Sequence, residues 1–197
     1  MAGLNTLNIT NPGLININKK IVNSRTYETN LITTIGSPIV NDGIASGMSN
    51  DSYFTHSQLN LQGVTNAQIT LKGTIILNSQ KQCILELLTY NNDPLSLIFE
   101  DHKIELTFKE NALFSISNLT FINNSDINIV LILKEDSYEF TLNYGNEVIQ
   151  KTGSTNNLFI PENFTSLALG NSLIDSTMAW YGSINLPEFS IMKDSKA

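Results

Sequence analysis

Carboxylates are the first residues in this sequence that could do chemistry. Glu100-Asp101 and Glu135-Asp136 are adjacent pairs. Retaining glycoside hydrolysis needs two carboxyl groups about 5–5.5 Å apart. Neighbouring residues on a strand point to opposite faces, so neither pair meets that need, and both fall at predicted turns. His56 and His102 lie far apart in the chain, whereas a zinc site wants three or four ligands at close spacing. Cys83 is the single cysteine, so no internal disulfide can form, and its apolar setting, Cys83-Ile84-Leu85, reads as that of a buried, inert thiol. The sequence holds no G-x-S-x-G elbow and no phosphate loop of the G-x-x-x-x-G-K type.

Oxygen-rich turns and aromatic residues remain. Calcium takes six to eight oxygen ligands from carboxylates, amides and carbonyls. Asp42, beside Asn41, and Asp93, after Asn91-Asn92, would be its carboxylates, although turn formation already accounts for Asn and Asp at both places. No other cofactor is expected. Sugar binding would use a flat aromatic face with amides at its edge. Tyr90 with Asn91, Asn92 and Asp93 is one such group, Trp180-Tyr181 is another, and Tyr53 is a third aromatic. Adjacent aromatics on a strand face opposite ways, so only one of Trp180 and Tyr181 can enter the core.

These residues must be held by β-structure, because apolar residues recur at every second position. Ile69, Leu71, Gly73, Ile75 and Leu77 alternate with Thr70, Lys72 and Thr74. Ile104, Leu106 and Phe108 alternate with Lys103, Glu105 and Thr107, and Tyr138, Phe140, Leu142 and Tyr144 with Glu139, Thr141 and Asn143. Each is the pattern of a strand with one buried and one wet face. The run Ile129–Leu133 is continuously apolar and predicts a central strand covered on both faces. Further strands are expected over 83–90 and 95–100. Turn residues separate them: Asn91-Asn92-Asp93-Pro94, Asp101-His102, Glu135-Asp136-Ser137 and Gly145-Asn146. One short helical turn is expected at Pro161-Glu162-Asn163-Phe164, where Pro suits a first helical position. Many short strands at this spacing indicate a sandwich or barrel.

The chain has 197 residues, with 18 acidic and 11 basic, a net charge of −7, and only 15% charged residues against 41% hydrophobic ones. Asn, Ser and Thr replace the missing charge. An acidic chain without a basic stripe argues against a nucleic-acid partner. No apolar run approaches the roughly 18 residues of a membrane helix, so no membrane insertion is expected. The start, Met-Ala-Gly-Leu-Asn-Thr-Leu-Asn, lacks the basic and apolar regions of a secretory signal. Residues 1–30 are Asn-rich and broken by Pro12-Gly13. They read as an extended N-terminal segment: an arm reaching a neighbouring subunit, an additional strand, or a loose terminus.

The last third carries a recognisable pattern. Ile127–Leu133 is followed by Tyr138–Val148, then by Leu167-Ala168-Leu169-Gly170-Asn171-Ser172, and then by Trp180-Tyr181-Gly182-Ser183-Ile184-Asn185-Leu186 with Phe189-Ser190-Ile191. This resembles the concanavalin A-like, laminin-G-like jelly-roll superfamily. Its members close a hairpin at a turn like Tyr144-Gly145-Asn146 and end on a G-x-I-D-L strand, here with Asn185 in place of Asp. Upstream, Pro38–Ser49 before Tyr53-Phe54 looks like the opening strand of such modules in bacteriophage tail and minor structural proteins. The resemblance covers residues 31 to 193.

It implies an all-β, two-sheet antiparallel jelly-roll sandwich over 31–197, preceded by the segment 1–30. Superfamily glucanases use an E-x-D-x-x-E strand motif, which is absent here, so the resemblance implies a protein that is not an enzyme. Lectin and laminin-G-like relatives often hold calcium. The function implied is that of a bacteriophage virion structural protein, made in the host cytoplasm and acting in head or tail decoration, assembly or host-surface contact. Its partners would be other virion proteins, further copies of itself as a homo-oligomer, and a host-surface glycan. The alternative is a carbohydrate-binding lectin or adhesin. Pro187 cannot donate to a sheet ladder and suits an edge or a bulge.

Overall fold

A computed structural model describes residues 8–11, 14–16, 20–22, 25–28, 32–56 and 59–195. The strands run in chain order as β1 (Asn8–Asn11), β2 (Leu14–Asn16), β3 (Lys20–Val22), β4 (Arg25–Glu28), β5 (Ile32–Ile35), β6 (Ile39–Asn41), β7 (Ile44–Ser46), β8 (Tyr53–His56) and β9 (Val64–Ile75). They continue as β10 (Gln82–Thr89), β11 (Pro94–Glu100), β12 (Lys103–Phe108), β13 (Asn111–Ile116), β14 (Ser125–Lys134), β15 (Ser137–Tyr144), β16 (Glu147–Ser154), β17 (Phe164–Leu169) and β18 (Ser183–Ser195). Of residues 1–30, where an arm or additional strand was expected, everything outside β1–β4 lies beyond the described residues.

Two antiparallel sheets form a sandwich. Sheet A has the order β1-β2-β5-β8-β17-β10-β11-β12-β13. Sheet B runs β16-β15-β14-β9-β18-β4-β3, and the β6–β7 hairpin pairs with the first half of β18. The chain crosses between layers repeatedly. β8 is in sheet A and β9 in sheet B, β10–β13 return to A, β14–β16 to B, β17 to A and β18 to B. Each sheet therefore contains strands distant in sequence, as a jelly roll requires.

Period-two alternation puts Ile69, Leu71, Ile129, Leu131, Phe140 and Leu142 of sheet B against Leu85, Leu87, Leu97, Phe99, Ile104 and Leu106 of sheet A, all within one apolar core. Aromatic rings fasten its ends. Trp180 meets Phe99 edge to face at 5.1 Å, and Phe121 meets Tyr144 at 4.5 Å. At the other end Phe114 meets Phe140 at 4.8 Å and Phe108 meets Phe159 at 4.9 Å. Such pairs add about 0.5–1.5 kcal/mol each beyond the area they bury.

The expected turns recur. Asp42 and Gly43 join β6 to β7 with φ of 48° and 80°, the two left-handed residues of a type I′ hairpin. Pro161–Asn163 forms a single 3₁₀ turn, with the Asn163 Oδ1 accepting from the Ile160 N–H at 3.0 Å. The register of β18 against β9 slips between Asn185 and Ser190, the stretch that holds Pro187.

One expectation is corrected. β14 lies between two strands but is not covered on both faces, since Val130 and Ile132 are only half-buried. The strand covered on both faces is β10, in which every residue is buried. The cause is a strap, residues 170–182, that lies over the outer face of sheet A. Among the described residues no helix is long and apolar enough to cross a membrane.

Candidate functional site

The two outer faces offer different surfaces. On sheet A the strap is tied to β10 through the backbone: the Gly170 N–H donates to Ile84 O at 3.0 Å, and the Cys83 N–H to Met178 O at 2.7 Å. Beneath it, Glu86 is 1% exposed. Its Oε1 accepts from the Ser96 hydroxyl at 2.9 Å and the Ser172 hydroxyl at 2.8 Å, and its Oε2 from the Leu173 N–H at 2.5 Å. The carboxylate is thus a structural anchor. Burial pushes the nearby Cys83 thiol well above its ordinary pKa, and the charge of Glu86 pushes the same way, so the thiol stays protonated and unreactive. Between the strap and β11–β12 remains a groove of about 520 Å³, bordered by Asp93, Ser96, Ile98, Thr107, Lys109, Ile174 and Asp175.

Sheet B keeps its outer face open. Strand pairing sets one outward residue from each of seven strands directly opposite the next: Asn41, Ile44, Asn185, Lys72, Asn128, Asn143 and Val148. Neighbouring strands lie about 4.8 Å apart, so this ladder is about 29 Å long. Adjacent strand residues such as Leu71, Ile127, Leu142 and Ile184 point into the core. Its five central residues, Ile44, Asn185, Lys72, Asn128 and Asn143, line a groove of about 420 Å³ together with Thr74, Asp126 and Ser183. Ser183 donates its N–H to Thr74 Oγ1 at 3.1 Å, and the two hydroxyls lie 3.0 Å apart. Lys72 pairs with Glu188, from the bulged stretch of β18, at 3.2 Å. The Oδ1 of Asn128 is buried and has no hydrogen-bond partner among the described residues.

Two glycines set the spacing of this floor. A Cβ on Gly73 would lie 2.0 Å from Ser183 O, and one on Gly182 would lie 1.8 Å from Thr74 O. Only glycine at both positions lets β9 and β18 run this close, which keeps Asn185 beside Lys72.

The residues singled out from the sequence are scattered. Tyr90 is 66% exposed and leads the β10–β11 turn, with its N–H donating to Asn163 O at 3.0 Å. Asn91 and Asn92 are exposed, and Asn92 adopts φ 61°. The Asn91 and Asp93 N–H groups donate to the Thr89 hydroxyl at 3.3 and 3.1 Å. Asp93 also pairs with Lys109 at 3.0 Å and borders the strapped groove.

Trp180 is 0% exposed, with its Nε1 donating to Ser183 O at 3.3 Å. Its ring face is not open to a ligand, which corrects the expectation that it could stack on a sugar. Of the pair it is Tyr181, 40% exposed, that reaches the surface, and its hydroxyl donates to Gln80 Oε1 at 3.4 Å. Gln80 and Gln82 precede or open β10, while Tyr90 follows it. Eight strand residues separate the two tyrosines by roughly 23 Å, and the structure does not bring them together. Asp42 is at the exposed tip of the β6–β7 hairpin on sheet B, away from Asp93 on sheet A. Among the described residues no three His, Cys, Asp or Glu side chains group as metal ligands.

Sequence reasoning missed Lys72, Asn128, Asn143 and Asn185 as a set. Each sits at a polar position of its strand, and only the pairing register aligns them.

No protein-family model matches the sequence, and no curated protein matches it. Solved structures do share the fold. Botulinum neurotoxin type C, whose uptake into cells depends on interaction with two ganglioside molecules, superposes with TM-score 0.59 at 14% identity over 87% of this chain. This chain spans 44% of the length of that neurotoxin chain. The CBM2 module of the evolved Dit of Lactobacillus casei BL23 phage J-1 gives TM-score 0.50 at 15% identity, covering 84% of this chain and 82% of that one. Arcelin-5, a lectin-like defence protein of Phaseolus vulgaris, gives TM-score 0.52 at 8% identity and covers 96% of both chains. At these identities the likeness is one of fold, and that fold is the lectin-like, concanavalin A-like jelly roll expected from the sequence.

Proposed function

We propose that this chain is a non-catalytic module of a bacteriophage virion that contacts glycan on the host surface, and that an extended saccharide lies along the sheet B ladder. The observation that carries this reading is the unbroken register of Asn185, Lys72, Asn128 and Asn143. Amides both donate and accept, so they suit hydroxyl pairs. Their spacing of about 4.8 Å is comparable with the length of one pyranose ring. The Asn128 Oδ1 is buried and unpaired among the described residues, and a turn of its side chain would present it to a saccharide hydroxyl. A binding role is supported by Glu86, whose two oxygens are both engaged by the strap and so serve the fold.

The virion reading is supported by the resemblance of Pro38–Ser49 and Trp180–Ile191 to phage structural modules and by the likeness to a phage Dit module. Calcium through Asp42 or Asp93 is no part of the proposal, since the two lie on different sheets.

The test is titration of the protein against host-cell surface polysaccharide and a panel of defined oligosaccharides. Saturable binding that falls roughly tenfold in Asn128→Ala/Asn143→Ala is expected, from two lost hydrogen bonds at about 0.5–1.5 kcal/mol each. Binding that survives the double variant would move the site off sheet B. An antibody against the chain should label purified particles, and unlabelled particles would remove the virion role.

A further inference from the structure

We propose that β16 is a self-association edge, and that two copies of this chain join β16 to β16 across a two-fold axis to make one continuous sheet. β16 is the last strand of sheet B. It pairs with β15 at all eight positions, Glu147 to Ser154, without a bulge. No other described strand pairs with its far side. Proteins blunt exposed edges with short strands, bulges, proline, charge or a covering element. β16 is long, regular and uncovered among the described residues, and its only such devices are the charges of Glu147 and Lys151.

Lys151 is also what names the partner. The β15–β16 hairpin closes on the pair Tyr144–Glu147, so by the antiparallel alternation the N–H and C=O groups of Val148, Gln150 and Thr152 face outward. The inward-facing side chains are Glu147, Ile149 and Lys151, opposite Tyr144, Leu142 and Phe140. A partner strand must match both alternations, which leaves registers that shift two residues at a time.

Centring the two-fold on Ile149 sets Val148 against Gln150 of the second copy as hydrogen-bonding pairs. The same register sets Ile149 against itself, and Glu147 against Lys151 twice. Centring it on Gln150 sets Ile149 against Lys151, and centring it on Lys151 sets two ammonium groups face to face. Only the first register pairs acid with base. The charge that deters an arbitrary strand thus complements a second copy of this one. Val148, 60% exposed, would be covered.

This axis stands perpendicular to the sheet, so the open outer faces of both copies point the same way. The proposal does not depend on those faces binding glycan.

The experiment is sedimentation of the full chain over a range of concentrations, with circular dichroism as a check on folding. The wild type should dimerise. Glu147→Lys alone and Lys151→Glu alone, each creating two like-charge pairs, should weaken the dimer roughly tenfold. Combined in one chain, the two substitutions should restore it. Gln150→Pro, which removes an outward N–H and no bond to β15, should give a folded monomer. A wild type that stays monomeric, a dimer indifferent to the single reversals, or a folded double variant that fails to recover would each overturn the proposal.

Discussion

The outer faces of the two sheets begin from the same alternation and reach opposite outcomes. On sheet A the outward residues Glu86, Leu88, Ser96 and Ile98 are 1%, 6%, 5% and 7% exposed. On sheet B their counterparts Lys72, Asn128, Val130 and Asn143 stay half-buried. The strap makes the difference. A covered face must be apolar or have each polar group paired, and sheet A does both, with Leu88 and Ile98 on one hand and the Glu86 network on the other. An open face can display amides that keep bonding capacity in hand. One sandwich therefore carries a face largely covered by the strap, with a groove left beside it, and a face that stays open.

The sharpest break of this contrast is Glu86→Ala. It strands the hydroxyls of Ser96 and Ser172 and the N–H of Leu173 under the strap. At about 1–3 kcal/mol for each unpaired buried group, thermal unfolding should show a loss of about 3–5 kcal/mol. Glu86→Gln keeps an acceptor and should lose less. A Glu86→Ala protein that melts with the wild type would mean the strap is held by something else. Next in size is Gly73→Ala on the open face. Its Cβ cannot coexist with Ser183 O at 2.0 Å, so β9 and β18 must part, at a cost of about 1–3 kcal/mol. The denaturant midpoint reports the cost, and glycan binding should fall with it because Asn185 moves away from Lys72.

The sequence carried the sandwich far better than the site. Alternation in 69–77, 103–108 and 138–144 became β9, β12 and β15, because a half-buried strand needs that period whatever its neighbours are. The run 129–133 misled because the reading assumed that apolar side chains on both faces mean cover on both faces. Cover came instead to 82–89, from a strap ninety residues downstream whose landing place no local pattern reveals. Tyr90 and Asn91–Asp93 stood out because their types are adjacent in sequence, and adjacency explained only a turn. Lys72, Asn128, Asn143 and Asn185 are adjacent only through register, which is a property of strand pairing. The Asn at 185, where the resembling family has Asp, was the one local hint.

Asn128→Ala and Asn143→Ala sharpen the contrast from the other side. Both are half-buried, and Asn128→Ala removes an oxygen that is already unpaired among the described residues, so each should leave stability within about 1 kcal/mol of wild type while weakening the saccharide titration. A loss of stability as large as that of Glu86→Ala would show that the ladder is structural, and the open face would lose its claim to be a site.

The smallest effect expected is one of acidity, and it belongs to the strap alone. The Thr177 hydroxyl donates to Asp175 Oδ1 at 2.6 Å and the Thr177 N–H to the same oxygen at 3.0 Å. Those bonds, the hydroxyl foremost, hold the Asp175 carboxyl below the usual carboxylate range, against a smaller upward push from desolvation. A carboxyl with a lowered folded-state pKa stabilises the fold above its unfolded value, and that contribution disappears as pH falls through the folded value. Thr177→Val removes the hydroxyl and keeps the backbone bond. It should therefore be slightly less stable than wild type at neutral pH, with the gap closing in acid as Asp175 protonates in both proteins. Because Asp175 is only half-buried, the gap is small and screened by solvent. Asn128→Ala supplies the contrast, since an amide does not titrate and its difference from wild type should stay flat over the same range. A Thr177→Val gap just as flat would mean that the strap draws nothing from the Asp175 charge, and that neutral bonds such as Cys83 N–H to Met178 O are what keep sheet A sealed.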